Sequence, residues 1–215
     1  MTGTETNNFQ PAPHFRFGFN PFAQSQNEQK DVCIARVDSL IRKRQFSYAP
    51  KSFLWSPYDQ TESHSELNKL FSKANPLVKN GAKFERWIAF DGQGKCIGRI
   101  AAFTFPDSSN QGGIGFFDFV PHFEICQRLF SIACGWLKEQ SVSQVDIPIN
   151  FGKTDRWTGL FIDGSNETVE GMRSHPPYYH HYFKQLRLDV KSDQSVELND
   201  QFLKSPCYRV FETYL

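Results

Sequence analysis

Between Gly113 and Gln140 the spacing of apolar residues changes once, from a strand-like cluster to a helical repeat. Gly115 to Val120 gathers three phenylalanines and a valine around a single acid, Asp118, which is the composition of a buried strand. From Phe123 onward Ile125, Leu129, Ile132, Ala133, Trp136 and Leu137 recur at helical spacing, with Glu124, Gln127, Arg128, Lys138 and Glu139 between them. A strand that runs straight into a helix aims the helix's first N–H groups at whatever lies beyond the strand end, which makes a ready anion site.

The same reading extends along the chain. Val32 to Val37 is a short strand, followed by a helix that Asp38 or Ser39 caps and that Pro50 and Pro57 limit. Thr61 to Lys73 is a second helix with Leu67, Leu70 and Phe71 on one face. Phe84 to Phe90, a turn at Asp91-Gly92-Gln93-Gly94, and Cys96 to Phe105 form a long antiparallel hairpin. Ser108 to Gly113 reads as a polar loop into the central strand. After the helix, the apolar run Gln144 to Ile149 implies a parallel crossover, so the sheet is expected to be mixed. Asn150 to Ser174 lacks periodicity and reads as a long loop of the kind that carries function. Pro176-Pro177 then starts a helix through Arg187, and strands near Leu188 to Val190 and Tyr208 to Tyr214 finish the sheet. The expected fold class is α/β (α+β), with a mixed, mostly antiparallel central sheet and flanking helices. Residues 31–215 are expected to form a single domain, preceded by a flexible arm over residues 1–30. In that arm Phe15, Phe17, Phe19 and Phe22 are able to dock on the body or on a second subunit, which leaves a homodimer open.

Charge narrows the function classes. With 24 basic and 23 acidic residues among 215 there is no electrostatic footprint for nucleic acid or anionic lipid, and Arg42, Lys43 and Arg44 read as a solvated helix face. The 22 phenylalanines imply a core built from rings. Five scattered cysteines with no C-x-x-C pair argue for reduced, buried thiols, and Cys126 and Cys134 for core packing. His175, His180 and His181 lack an accompanying carboxylate or cysteine at a ligand spacing, so they read as solvent-facing and no metal is expected. No apolar run reaches the roughly 18 residues of a membrane span, and Met1 to Gln10 lacks the regions of a signal peptide, so a cytoplasmic protein without membrane contact is expected.

Several blocks together resemble the GNAT superfamily of acyl-coenzyme A N-acyltransferases. They are Asn75-Pro76, Gly98-Arg99-Ile100-Ala101-Ala102, Gly113 to Asp118, Trp136-Leu137, Pro148-Ile149-Asn150 and Pro176-Pro177-Tyr178-Tyr179, within residues 75 to 190. They look like a GNAT-like bacterial branch described mainly by its fold. The resemblance implies an acetyl-CoA or other acyl-CoA donor and a small-molecule or peptide amine as acceptor. It implies that the central strand splays from its parallel neighbour, that its free backbone groups hold the pantetheine arm and an oxyanion, and that the next helix start takes the pyrophosphate. By position, the donor would meet the backbone of Phe119, Val120, His122, Phe123 and Glu124, with Asn150 near the end of the neighbouring strand. Two positions depart from the pattern. The connection Val120-Pro121-His122-Phe123 has no glycine, and Pro121 cannot donate. The tyrosine that often protonates the departing thiolate falls at Phe183, leaving Tyr179 or Tyr182 to substitute.

Asp118 carries two readings. An isolated acid among phenylalanines is placed to deprotonate an amine, and it is equally a buried acid satisfied by backbone N–H groups or by Arg99. The function hypotheses divide the same way. One is a GNAT-like N-acyltransferase with Asp118 and Tyr179 or Tyr182 in catalytic roles. The other is a non-catalytic GNAT-fold protein whose altered cleft, lined by Trp157, Phe161, Tyr178 and Tyr179, binds another ligand or a partner chain.

Overall fold

Asp91 sets the geometry of the first hairpin. Its Oδ1 accepts from the backbone N–H groups of Gln93 and Lys95 at 3.0 and 2.8 Å, closing the turn between β2 (Phe84–Phe90) and β3 (Cys96–Phe105). In the computed structural model, which describes residues 32–54, 62–152, 159–163, 175–195 and 207–215, this hairpin lies near one edge of an eight-stranded sheet. β1 (Cys33–Arg36) flanks β2, β4 (Ser108–Phe119) flanks β3, and β5 (Gln144–Ile147) lies parallel to the start of β4. β8 (Cys207–Tyr214) follows β5, with β6 (Leu160–Asp163) on the same edge of β8 as β5 and β7 (Asp189–Ser195) on the other edge. Every pairing except β4 with β5 is antiparallel.

Each face of the sheet has its own core. α4 (Phe123–Glu139) lies on one face and buries Ile125, Cys126, Leu129, Ala133, Cys134, Trp136 and Leu137, the stripe its periodicity predicts. α5 (Tyr178–Gln185) adds Tyr179, Tyr182 and Phe183 to this side. The other face is covered by α1 (Leu40–Phe53) and α2 (His64–Leu70), where Phe46, Leu67 and Phe71 pack with Phe103, Phe116 and Phe151 of the sheet and its loops. Ser39 caps α1 by accepting from Arg42 N, and Ser63 with Glu66 forms a capping box on α2. Asn75 caps the short α3 (Pro76–Lys79), with Pro76 in its first turn.

The structure departs from expectation in five places. Ser108 to Gly113 is not a loop but the first half of β4, because pairing with β3 and β5 overrides its weak strand propensity. Glycine is needed at 113, since a Cβ there would meet the Phe103 ring and Ile149 Cδ1, the latter at 2.5 Å. Pro50 does not limit α1, which runs on to Phe53. β5 ends at Ile147 rather than Ile149, and β6 arises inside the stretch read as loop. β7 extends to Ser195 despite its polar sequence, held by its pairing with β8. The amino-terminal arm and Trp157 lie outside the described residues.

Candidate functional site: the parting of β4 from β5

β4 and β5 pair only through Gln111, Gly112 and Gly113, opposite Gln144, Val145 and Asp146. β4 continues to Phe119 while β5 turns away, and a gap opens between them. A bulge sits within this unpaired length, where the register with β3 shifts between Arg99 and Ala101 and Phe116 takes a left-handed φ of 50°. A bulky residue in that region is held there by its surroundings, a feature that concentrates at functional sites. The bulge sends Phe116 into the core beneath α1 and α2, and Phe117 and Phe119 into the core beneath α4 and α5.

The peptide groups of Phe119 face the gap. Val120 N donates to Ile97 O at 3.0 Å, so Gly98 and Phe119 form a pair without mutual hydrogen bonds, and the Phe119 N–H and C=O look away from β3. Both are taken by α5. Phe119 N–H donates to Tyr179 Oη at 3.2 Å, and Tyr178 Oη donates to Phe119 O at 2.5 Å. The two hydroxyls thus cover both polar atoms of the Phe119 peptide. The Tyr179 ring stacks on Phe119 at 4.4 Å and 10°, with Tyr178 and Tyr182 at 6.0 and 6.1 Å from the same ring. Burial, with the Asp118 charge second, pushes the Tyr178 phenol far above its ordinary value, so it stays a proton donor. Burial likewise raises Tyr182.

The start of α4 is less furnished than the strand end. Pro121 has no N–H, and His122 N turns back to donate to Val120 O at 2.6 Å. No side chain caps the helix, which leaves the first-turn N–H groups of Phe123 and Glu124 facing outward.

On the α1 side of β4 the polar contact is a buried ion pair. Arg99, fully buried, donates from Nε to Asp118 Oδ2 at 2.7 Å, and Asp118 is only 3% exposed. Arg99 Nη1 donates to Phe46 O at 2.8 Å. That carbonyl is free because its helical partner would be the N–H of residue 50, and residue 50 is proline. Pro50 therefore opens a seat for Arg99 inside α1. Glu62 Oε2 lies 3.6 Å from Arg99 Nη2, at ion-pair range but beyond a hydrogen bond. Glu62 and Asn150 line a cleft of about 400 Å³ with Phe116, Leu67, Leu70 and Pro76. Among the described residues, three buried atoms at or beside it, Glu62 Oε2, Arg99 Nη2 and Asn150 Oδ1, have no hydrogen-bond partner.

The fold as a whole superposes on solved acetyltransferases. A probable acetyltransferase from Staphylococcus epidermidis superposes with a TM-score of 0.55 over 86% of this chain and 99% of that one, at 8% identity. A GNAT superfamily phosphinothricin acetyltransferase from Sinorhizobium meliloti, in complex with AcCoA, gives 0.54 over 86% and 88% at 13% identity. The ribosomal-protein-S18-alanine N-acetyltransferase of Escherichia coli gives 0.52 over 86% and 94% at 7% identity. The chain has the GNAT fold. No family model matches it, and no curated protein matches it in sequence.

Within the GNAT fold the expected site residues fall into three groups. Phe119, Val120, His122, Phe123 and Glu124 do lie along the strand end and helix start, with Tyr179 and Tyr182 against Phe119. Asp118 and Asn150 belong to the α1 side, Asp118 beside Arg99 and Asn150 in the cleft wall. Phe183 packs among Phe117, Tyr179 and Phe211. The histidines differ from their solvent-facing reading: His175 Nδ1 accepts from Phe161 N at 3.5 Å and His180 Nε2 donates to Phe161 O at 2.7 Å, so the pair pins β6 to α5, while His181 is exposed. Among the described residues no His, Cys, Asp or Glu cluster could hold a metal, and no helix is long and apolar enough to cross a membrane. Cys126 and Cys134 are packed in the core, with burial pushing the Cys134 thiol up to about 12 and Cys126 higher still. The reading of the sequence missed the Tyr178 bond to Phe119 O, the carbonyl that Pro50 leaves open and the approach of Glu62 to Arg99. Only Tyr178 left a trace, as part of the Pro176 to Tyr179 block.

Proposed function

We propose that the protein is an acyl-CoA-dependent N-acyltransferase whose reaction takes place where β4 parts from β5. The observation that carries the proposal is the Phe119 peptide, whose N–H and C=O face a gap between strands in a GNAT fold. An acyl-CoA donor would supply the activated acyl group. The Phe119 N–H is placed to donate to an oxygen that gains charge during acyl transfer, and an N–H aimed in advance is worth more than one that must reorient. Val120 N is committed to Ile97 O, and His122 N to Val120 O, so the anionic end of a donor has the first turn of α4 at Phe123 and Glu124.

The fit at Phe119 has a condition. Tyr178 and Tyr179 occupy both hydrogen-bonding directions that a donor arm would need, so they must withdraw before anything else bonds there. Withdrawn, their hydroxyls remain next to the reacting groups, and burial keeps Tyr178 protonated across the physiological range. Asp118 has one oxygen committed to Arg99, which makes it first an anchor of the strand.

Isothermal titration of the purified protein with acetyl-CoA and, in parallel, desulfo-CoA tests the proposal. Micromolar binding of both is the expected result. Absence of binding by either would mean that the two tyrosines stay on Phe119 and that the fold serves a non-catalytic purpose. Once an acceptor is in hand, Asp118→Asn separates base from anchor. A pH profile of turnover unchanged by that substitution removes Asp118 from proton transfer, and loss concentrated at low pH assigns the proton to it.

A further inference from the structure

Among the described residues Arg86 is a buried guanidinium with neither an ion pair nor a hydrogen bond. It stands on β2 with only 5% of the residue exposed, and its guanidinium carbon lies 4.5 Å from the centre of the Phe71 ring, 5.4 Å from Phe46 and 5.8 Å from Phe84. The neighbouring acid, Glu85, is committed elsewhere. Its Oε1 accepts from the Arg86 backbone N–H at 3.1 Å, and its Oε2 lies 3.5 Å from Arg36 Nε. Burial pushes the Arg86 guanidinium down to about 10, against the pull of the Glu85 charge. The three rings return part of that cost through their π faces, but they take none of its N–H donors. A buried charge without a partner is among the most destabilising features a protein can carry.

The guanidinium is nonetheless within reach from outside. The side-chain atoms that lack both a partner and solvent are Glu62 Oε2, Arg99 Nη2 and Asn150 Oδ1; no Arg86 nitrogen is among them, so its unpaired N–H groups touch the surface. The topology shows where. β1 pairs with β2 only from Trp87 to Phe90, and after Val37, whose N–H donates to Arg86 O at 3.0 Å, the chain leaves the sheet for the Ser39 cap of α1. Among the described residues the outer edge of β2 from Phe84 to Arg86 therefore has no strand beside it, and the Phe84 ring there is half-buried. Local charge favours an anion at this edge. α1 contains no acidic residue, and its Lys43, three positions before Phe46, has no ion pair among the described residues.

We infer that the open edge of β2 binds a small aromatic carboxylate, its two oxygens taken by the Arg86 guanidinium and its ring laid against Phe84. The planar fork of an arginine matches a carboxylate with two parallel N–H···O bonds, and such charge-assisted pairs are stronger than neutral ones. A singly charged acid fits better than a phosphate group, because one buried cation is balanced by one negative charge and a dianion would leave an excess. The site is separate from the parting of β4 and β5, since β3 lies between β2 and β4. It does not rest on acyl transfer, and the outcome of the acetyl-CoA titration leaves it untouched.

Full-length protein is titrated calorimetrically with benzoate, with benzyl alcohol as the neutral match, benzylammonium as the cationic one and phenyl phosphate as the dianion. Benzoate should bind at least about tenfold more tightly than the alcohol, the size expected of one hydrogen bond to a charged group, and more tightly than the other two. It should also raise the melting temperature. Arg86→Met keeps an unbranched apolar stem against Phe71 and should erase the preference for the acid. Because that substitution removes a buried charge, the unliganded variant should melt no lower than the unsubstituted protein, which shows that it folds. Arg86→Lys keeps the charge without the fork and should bind benzoate more weakly than the unsubstituted protein. Equal binding of benzoate and benzyl alcohol, tighter binding of benzylammonium or phenyl phosphate, full benzoate binding by Arg86→Met or unchanged affinity in Arg86→Lys would each overturn the inference. So would the absence of benzoate binding at millimolar concentration, which would mean that the Arg86 charge is neutralised within the chain.

Discussion

The two faces of β4 handle polar groups in opposite ways. On the α5 face, the Phe119 peptide has both its hydrogen-bonding directions filled by tyrosine hydroxyls. On the α1 face, a few residues away, a fully buried arginine holds Asp118 with Glu62 at ion-pair range, and three nearby atoms have no hydrogen-bond partner among the described residues. The first arrangement is complete and must open to bind anything. The second leaves polar atoms open among the described residues.

The α1 face offers the largest perturbation. Arg99→Met leaves Asp118 buried without its guanidinium and Phe46 O without a donor, and should lower unfolding stability in urea by roughly 3–5 kcal/mol. Adding Asp118→Leu should recover much of that loss, since an apolar pair can replace a buried ion pair at little cost. Failure of the double variant to recover would mean that Arg99 acts mainly through Phe46. Next in size, Gly113→Ala forces a methyl against Phe103 and Ile149 where the two strands part. Overpacking of this kind costs about 1–3 kcal/mol and should appear as a lower melting temperature.

Tyr178→Phe addresses the closed side. Loss of its bond to Phe119 O should cost about 1 kcal/mol of stability, while acetyl-CoA binding should become tighter, because the donor no longer competes with that hydroxyl. A variant that loses stability and donor affinity together would place Tyr178 among the groups that bind the donor rather than those that exclude it. The smallest effect is a pH dependence. The folded-state Tyr178 pKa lies above its ordinary value of 10.0, so its stabilising contribution is complete below pH 10 and is lost as pH rises beyond it. Alkaline titration of the melting temperature should therefore show a decline above pH 10 that is shallower in Tyr178→Phe.

The elements legible in the sequence are those whose causes lie within a few residues. The strand-to-helix unit from Gly115 to Leu137, the Asp91 turn, the Ser39 cap and the Asn75-Pro76 start all depend on periodicity or on hydrogen bonds to near neighbours. The resemblance to the GNAT fold was readable for the same reason, since its blocks follow that element order. What the sequence could not show are contacts made across the fold. Arg99 reaches Asp118 over 19 positions and Phe46 over 53, and Phe119 reaches Tyr179 over 60. Pro50 illustrates the limit: as a local signal it reads as a helix stop, and in the folded chain it is what leaves a carbonyl open for a buried arginine. Periodicity and capping act through the backbone next door, whereas the pairing of charges, the seal over Phe119 and the open acceptors of the cleft exist only once the sheet has brought distant side chains together.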